Sequence, residues 1–376
     1  MIVLGNKDLL ESKLAVILNS SQSKTPCAND TWIKQTALAI PQLINSGYTL
    51  ITSTGISPWE LMVYLISVSG GNQIIIYVVF DGENIETVFE RVTRDFNLDS
   101  QKTAMIFIKR DVRGRSPKES WIERDRSAIS LAQKIIPISI RPGGRLQNLI
   151  SDNEVKPKVV SDFQIEYQKS LVSPRHYDIS RIVDFHDLSY LTHWTKTCHG
   201  PWPGEARANY YQSLLSSMER YPHQAFDTLK NIITEGKIRA SANKMREGRR
   251  AIGFTEADPV KAIKSLMRWR PKYVNWNFEP YGVAIEKEYA ISLGIRPVIY
   301  GREPDYKSLS EQDKPYFQSL GKANVDWSRE REWRFVGDLD LKKVLTDRIL
   351  FLAWREQEAL LLSSEHFTQA RALSGE

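Results

Sequence analysis

The sequence predicts an α/β protein: an N-terminal Rossmann-like parallel sheet with helices on both faces, followed by a mixed α+β domain. Three observations carry this. Short runs rich in Ile and Val alternate with amphipathic stretches through residues 1–150, as in strands buried on both faces of a parallel sheet. The alternation stops after Arg141-Pro-Gly-Gly144. Beyond it aromatic residues become dense, with most of the ten Trp in the second half.

The elements follow in order. Residues 14–19 form an apolar run suited to a buried strand, and a polar loop leads to an amphipathic helix over 30–45. A strand at 48–53 precedes a helix over 58–68, closed by Gly70 and Gly71. Residues 73–80 are strongly strand-like, 83–95 helical, 103–109 a strand, 118–134 a helix and 135–140 the last strand. Connections of this length predict right-handed crossovers. Residues 151–174 are polar and irregular, which predicts a linker between domains 1–150 and 175–376. In the second domain, helices are expected over 210–220 and 224–235, and strands over 281–286, 297–300, 332–336 and 348–353.

A hydrophobic content of 41% and a charged content of 26% describe a chain with a real core. Two cysteines, Cys27 and Cys198, far apart in sequence, argue against a disulfide framework and for a reducing compartment. The start lacks a signal-type apolar core, and no apolar run approaches the ~20 residues of a membrane span, so a cytoplasmic protein is expected. No paired His or Cys spacing of zinc type occurs, and no metal is expected. The net charge is +6 and uneven. Between Lys109 and Arg145, ten Lys or Arg stand against four Asp or Glu, and residues 237–250 form a second basic stretch. Such clusters suit a phosphate-bearing partner, nucleotide or DNA. Trp269, Tyr273 and Trp276, near Arg268 and Arg270, could stack on bases.

The segment Thr52-Ser-Thr-Gly-Ile-Ser-Pro-Trp-Glu60 leaves a strand and enters a helix. Ser57 fits the N-cap, Pro58 the first helical position and Glu60 the third, a capping box. The free N–H groups of such a start, approached closely at Gly55, suit an anion, with hydroxyls of Thr52, Ser53 and Thr54 beside them. A structural loop with a good cap would look the same. The loop 19–24, with Ser20 and Ser21, falls at the same carboxyl edge of the sheet, where ligands of open α/β sheets bind. A third segment carries Arg113, Arg115, Trp121, Arg124, Asp125 and Arg126.

The order of a Thr/Ser-Gly loop after the second strand, an Arg-Asp-Arg helix and a last strand ending in Arg141-Pro-Gly-Gly-Arg-Leu146 resembles the SLOG superfamily over residues 14–150. That group includes DprA-type DNA-processing proteins and LOG-type nucleotide enzymes. The resemblance implies binding of a nucleotide, a nucleotide-derived signal or single-stranded DNA, with Ser20, Ser21, Thr54, Gly55, Ser57, Arg113, Arg115 and Arg126 as contacts. The catalytic string Pro-Gly-Gly-x-Gly-Thr-x-x-Glu of the LOG enzymes breaks here after the second glycine, which favours sensing over phosphoribohydrolase chemistry.

In the second domain, Glu330 and Glu332 have the i, i+2 spacing that puts two carboxylates on one face of a strand. Cleaving an N-glycosidic bond to ribose passes through an oxocarbenium-like state that a carboxylate stabilises. An exposed edge strand of alternating charge would give the same pattern. His193, in Thr-His-Trp-Thr195, could hold a ribose hydroxyl or a diphosphate, or be an ordinary hydrogen-bonded core histidine. The order His-x-Thr, Ile-x-x-Gly-x-Ile, Phe-Thr-Glu and Glu-x-Glu over residues 189–340 resembles the ADP-ribosyltransferase fold, particularly DarT-type and abortive-infection relatives. The resemblance implies NAD as cofactor, bound by His193, Thr195, Arg239 and Thr255. It makes Glu332 the catalytic glutamate and Glu330 the carboxylate that orients the acceptor, with His193 in the catalytic set. Some of these transferases open with arginine where this chain has His193.

Together the resemblances imply a nucleotide-sensing effector that cleaves NAD or transfers ADP-ribose, in phage defence or as a toxin. A DprA-like DNA-binding or DNA-processing protein and a non-catalytic nucleotide-binding regulator are the alternatives. An oligomer is compatible with all three.

Overall fold

A computed structural model describes residues 2–80, 82–109, 117–168, 177–183, 190–242, 245–256, 263–264, 279–320, 327–366 and 368–375. Arg113, Arg115, Arg268, Trp269, Arg270, Tyr273 and Trp276 lie outside the described residues. The chain divides into two compact units. One comprises Met1–Ser173 with Glu205–Pro222, the other Pro174–Gly204 with His223–Glu376.

The first unit contains β1 (Ile2–Gly5), β2 (Lys13–Asn19), α1 (Thr31–Asn45), β3 (Tyr48–Ser53), α2 (Ser57–Val68), β4 (Gln73–Val79), α3 (Ile85–Phe96), β5 (Thr103–Lys109), α4 (Pro117–Leu131), β6 (Lys134–Ser139) and α5 (Arg145–Ile150). The strand order is β1-β5-β4-β3-β2-β6. Strands β2 to β6 run parallel, and β1 adds an antiparallel edge on β5. The α/β reading from sequence holds, and the parallel core follows from consecutive apolar residues: Ala15–Leu18 and Ile74–Ile76 are buried whichever face they point to. Right-handed crossovers put α1, α2 and α3 on one face as the chain steps from β2 to β5. Helix α4 carries it back across the sheet to β6, touching β2, β3 and β4.

Residues 151–168 are not a free linker. Val159 bridges Ile135 and Ile165 bridges Ser139, so this segment runs beside β6. Val155, Val159, Val160, Phe163 and Ile165 pack on the core between polar neighbours that mask them in the sequence. The unit is completed by α6 (Arg207–Ser216), which packs on α2 and α3 and buries Tyr210, Tyr211 and Leu214, followed by the buried Tyr221.

The second unit contains β7 (Tyr190–Trp194), α7 (Ala225–Glu235), β8 (Lys237–Ile238), β9 (Ala251–Glu256), β10 (Gly282–Glu286), α8 (Lys287–Ser292), β11 (Arg296–Pro297), β12 (Ile299–Gly301), α9 (Glu303–Ser308), β13 (Phe317–Ser319), β14 (Glu332–Val336), β15 (Leu339–Asp340), β16 (Ile349–Ala353), α10 (Glu356–His366) and β17 (Ala370–Ala372). Its main sheet has the order β11-β14-β9-β7-β10-β16-β17 and is antiparallel except for β16–β17. Two short pairs, β12–β13 and β15–β8, stand apart. The sheet closes tightly at Gly282, where a Cβ would come within 2.6 Å of the His193 carbonyl oxygen. No helix among the described residues is long and apolar enough to cross a membrane.

Candidate functional sites

Each unit has its own cavity. In the first, about 300 Å³ opens at the carboxyl ends of β3 and β4, lined among others by Ser53, Thr54, Gly55, Glu60, Tyr77, Arg91, Asp95, Trp121, Arg124 and Arg207. The loop that forms it turns at Gly55, whose φ of 95° is open to glycine and strained for other residues. The expected capping box is not made. Ile56, extended, is the N-cap, so Ser57 already lies inside α2 and its hydroxyl has no hydrogen-bond partner among the described residues. Glu60 reaches further back instead. Its Oε1 accepts from the Gly55 N–H at 2.9 Å, and its Oε2 meets Arg207 Nε at 3.2 Å and the Tyr211 hydroxyl at 3.3 Å. Burial and the Glu60 carboxylate push the Tyr211 phenol well above its ordinary value, so it stays a donor.

The hydroxyls expected to face an anion are largely spent on the sheet: Ser53 Oγ donates to the Ile76 carbonyl at 2.6 Å and Thr52 Oγ1 to that of Ile74 at 3.5 Å. Three guanidinium groups line the cavity, each beside an acid. Arg207 meets Glu60 and Asp95, Arg91 meets Glu83, and Arg124 bonds Asp125 through two nitrogens. Arg124 also reaches the Thr54 carbonyl at 3.5 Å and lies over the Trp59 ring. Burial raises the Asp125 carboxyl, and Arg124 draws it back down.

Of the nucleotide contacts expected from sequence, Thr54 and Gly55 line this cavity, while Ser20, Ser21, Ser57 and Arg126 do not. Arg126 is exposed on α4. Ser20 and Ser21 belong to the crevice between β2 and β6, where the strand order reverses. There Ser20 Oγ accepts from the Arg141 N–H at 2.9 Å, and the Ser21 carbonyl accepts from the Tyr167 hydroxyl at 2.8 Å. The anchoring acids and bases Glu60, Arg91, Asp95 and Arg207 were not singled out as contacts. Arg207 is more than a hundred residues away in sequence, and only the packing of α6 brings it in.

The second cavity is larger, about 990 Å³, within the upper range of small-molecule sites. Its wall includes His193, Thr195, Lys196, Trp202, Glu235, Lys237, Arg239, Gly253, Glu330, Glu332 and Arg334. Strands β7 and β9 pair only at Leu191–Glu256 and Thr192–Thr255. Just past the last pair, the His193 side chain crosses to β9 and its Nδ1 meets the Gly253 carbonyl at 2.9 Å. As the N–H that donates there, Nδ1 leaves Nε2 as the basic nitrogen. Burial pulls the imidazole below its ordinary value, with the Gly253 contact opposing, so the ring is neutral at neutral pH.

On the other side of β9, Glu332 opens β14 opposite Thr255, and its Oε1 lies 3.4 Å from where a Cβ on Gly253 would sit. Its carboxylate is held by Arg334, through Nε at 2.8 Å and Nη2 at 3.3 Å. Arg334, itself 5% exposed, also donates to the Pro315 and Phe317 carbonyls and to Gln318 Oε1. The Glu332 N–H donates to the Tyr300 hydroxyl at 3.0 Å, and burial pushes that phenol up to about 12.

Glu330 does not share a strand with Glu332. It ends a 3-10 turn over Trp327–Glu330, and Arg331 follows with φ 45° before β14 begins. Both carboxylates still line the cavity, and Glu330 is buried. Nor is β14 an exposed edge, since β11 and β9 flank it. Arg239 lines the cavity with Nε on Glu235 Oε2 at 2.8 Å, its guanidinium against Gly204. Thr195 is buried with its hydroxyl on the Ala225 and Tyr281 carbonyls. Thr255 is off the cavity wall, accepting from Trp194 Nε1 at 2.9 Å. Trp202 is also on the wall, its ring tilted by 35° against that of His223 with the centroids 3.7 Å apart. Among the described residues no group of three or more His, Cys, Asp or Glu could hold a metal ion.

The fold and sites thus define a two-unit α/β chain with a small ion-paired cavity in one unit and a large, histidine- and glutamate-lined cavity in the other. No family model and no curated protein matches the chain. Among solved structures it is similar to DNA processing protein A from Helicobacter pylori, described for its single-stranded DNA binding mode, at 14% identity and a TM-score of 0.29, covering 38% of this chain and 61% of that one. It is also similar to DprA from Streptococcus pneumoniae, at 17% identity and a TM-score of 0.29, covering 45% and 55%. The chain therefore spans less than two thirds of either neighbour.

Proposed function

We propose that the second unit binds NAD in its 990 Å³ cavity and breaks the bond between nicotinamide and ribose, passing ADP-ribose to water or to an acceptor. The observation that carries this is the convergence of two groups on one residue: His193 at the carbonyl of Gly253, and the Glu332 carboxylate beside its Cα. These are the groups that the ADP-ribosyltransferase resemblance requires in one site, brought together from positions about 140 residues apart. In the reaction, nicotinamide leaves with the electron pair of the glycosidic bond. Glu332, fixed by Arg334, faces the positive charge that develops on the ribose. The attacking water or acceptor hydroxyl adds at the anomeric carbon and gives up its proton to Glu330. Neutral His193 hydrogen-bonds a ribose hydroxyl through Nε2, and Arg239 supplies charge for the diphosphate.

The test is incubation of the full chain with NAD, with nicotinamide and ADP-ribose separated chromatographically. Glu332→Gln should lower turnover at least about 100-fold, as loss of a group acting on transition-state charge does. Glu330→Gln should depress transfer more than hydrolysis. Turnover by Glu332→Gln at the unmodified rate would refute the assignment.

A second reading, DNA as partner, is favoured by the exposure of Arg126, Arg141 and Arg145 in the first unit. The basic stretch 237–250 lends it less, because Arg239, Arg246, Arg249 and Arg250 are each ion-paired with an acid. Binding of single-stranded DNA that weakens steeply between 50 and 200 mM salt, on the order of tenfold or more, would support it.

A further inference from the structure

We propose that Arg331 is a positioning residue: its left-handed backbone turns the chain between Glu330 and Glu332 and so seats both carboxylates in one cavity. The inference rests on the reading of those two carboxylates as the groups that act on NAD. Among the described residues, three other than glycine have a φ in the left-handed range: Asn97, Glu247 and Arg331. Asn97 caps the end of α3, where asparagine visits this conformation readily. Arg331, at φ 45°, is the one of the three with residues of a single cavity on both sides of it. A side chain with a Cβ takes up this conformation at a cost, so the surrounding contacts must hold it there.

The holding contacts fall into two sets. On the strand side, Glu332 is fixed by the sheet: it pairs with Thr255, its N–H donates to the Tyr300 hydroxyl at 3.0 Å, and its carbonyl accepts from the Val298 N–H at 2.9 Å. On the turn side, the Arg331 N–H donates to the Ser328 carbonyl at 3.0 Å, and the Arg331 carbonyl accepts from the Glu256 N–H at 3.0 Å. Arg331 is thus gripped through both groups of its main chain. Its side chain adds less, because the guanidinium meets Glu256 at 3.2 Å but is 63% exposed, and Lys287 is the closer partner of Glu256 at 2.5 Å. The cavity wall here is built from two elements. The turn supplies Trp327 and Glu330, and β14 supplies Glu332 and Arg334. Because β11 and β9 flank β14, straightening Arg331 leaves Glu332 in place and moves Glu330 with Trp327. Glu330, which takes the proton of the attacking group, is therefore the carboxylate whose place depends on Arg331. The chemical step answers to it more than the binding of NAD does.

The experiment compares Arg331→Asn, Arg331→Ala and Arg331→Val in the full chain. All three remove the guanidinium. Asparagine tolerates the left-handed conformation, alanine resists it, and a β-branched side chain resists it most. With NAD as substrate, kcat for nicotinamide release should stay within about twofold in Arg331→Asn and fall about tenfold in Arg331→Val, with Arg331→Ala between and KM little changed. Equal losses in all three would assign the effect to the guanidinium, and an undiminished Arg331→Val would detach Glu330 from the turn; either overturns the proposal. So does a rise in KM at constant kcat. Should Arg331→Val fail to fold, the difference between Arg331→Asn and Arg331→Ala decides alone. Amide exchange in peptides over 327–336, measured without NAD, should rise in the same order. Exchange in that order with no NAD turnover by the unmodified chain refutes the proposed reaction and leaves the positioning standing. Turnover by the unmodified chain with exchange in any other order refutes the positioning alone.

Discussion

Replacing Arg334 by Met tests how the second cavity is held. The guanidinium is 5% exposed and makes five hydrogen bonds, two to Glu332 and the rest to two carbonyls and Gln318. Methionine keeps much of the volume and removes every donor. The Glu332 carboxylate then loses the partner that balances it, and the Pro315 and Phe317 carbonyls lose their donor. Removing one member of a buried pair costs about 3–5 kcal/mol. In a unit of this size that corresponds to a fall in Tm of roughly 6–20 °C. Urea unfolding of the full chain, followed by hydrogen exchange in peptides of β14 and β9, reads the second unit separately. In a Glu332→Gln background the same change should cost less, with a coupling above about 0.5 kcal/mol. A loss under about 1 kcal/mol, or strict additivity, would refute the claim that Arg334 and Glu332 form one buried unit.

Two further outcomes are expected. Because burial lowers the His193 pKa, the unfolded chain binds the extra proton below about pH 6.5, so stability should fall as pH drops below that value, by up to about 1.4 kcal/mol per pH unit. His193→Gln should remove the share of that slope due to His193, measured by urea unfolding across pH 5–8; an unchanged slope counts against a ring that the fold holds neutral. Gly282→Ala should destabilise the second unit by about 1–3 kcal/mol, since the new methyl meets the His193 carbonyl at 2.6 Å and β10 must part from β7. Exchange protection in both strands would report it.

Much of the first unit was legible because its strands are buried on both faces. Runs such as Ile74–Ile76 have few alternatives to a buried strand, and the helices between them carry their own punctuation. What escaped was non-local. The four residues of β1 become a strand only by pairing with β5. Helix α6 was expected from its sequence, but its membership of the first unit rests on Tyr211 meeting Tyr64 and Phe96 from a distant part of the chain. At the sites, residue type was easier to read than partnership. Glu60 was expected to serve its own helix, but Arg207 and Tyr211 hold it elsewhere. The Glu-x-Glu pair was expected on one strand, but Arg331 in a left-handed conformation lets a turn precede β14, and the two carboxylates meet the same cavity by another route. Thr195 and Thr255 look like ligand contacts as residue types and turn out to serve neighbouring carbonyls and Trp194.

The discontinuity of the first unit also bears on how the protein is made. Its sheet is encoded by residue 139, but α6, which covers Tyr64 and Phe96, is not translated until the chain reaches the segment ending at Pro222. At about 5–20 residues per second, the stretch from Ser173 to Pro222 adds roughly 2–10 s during which that aromatic face lacks its cover. A fragment cut after residue 173 would carry the same uncovered face permanently. Soluble expression of the sheet alone therefore calls for α6 supplied in trans or spliced on directly.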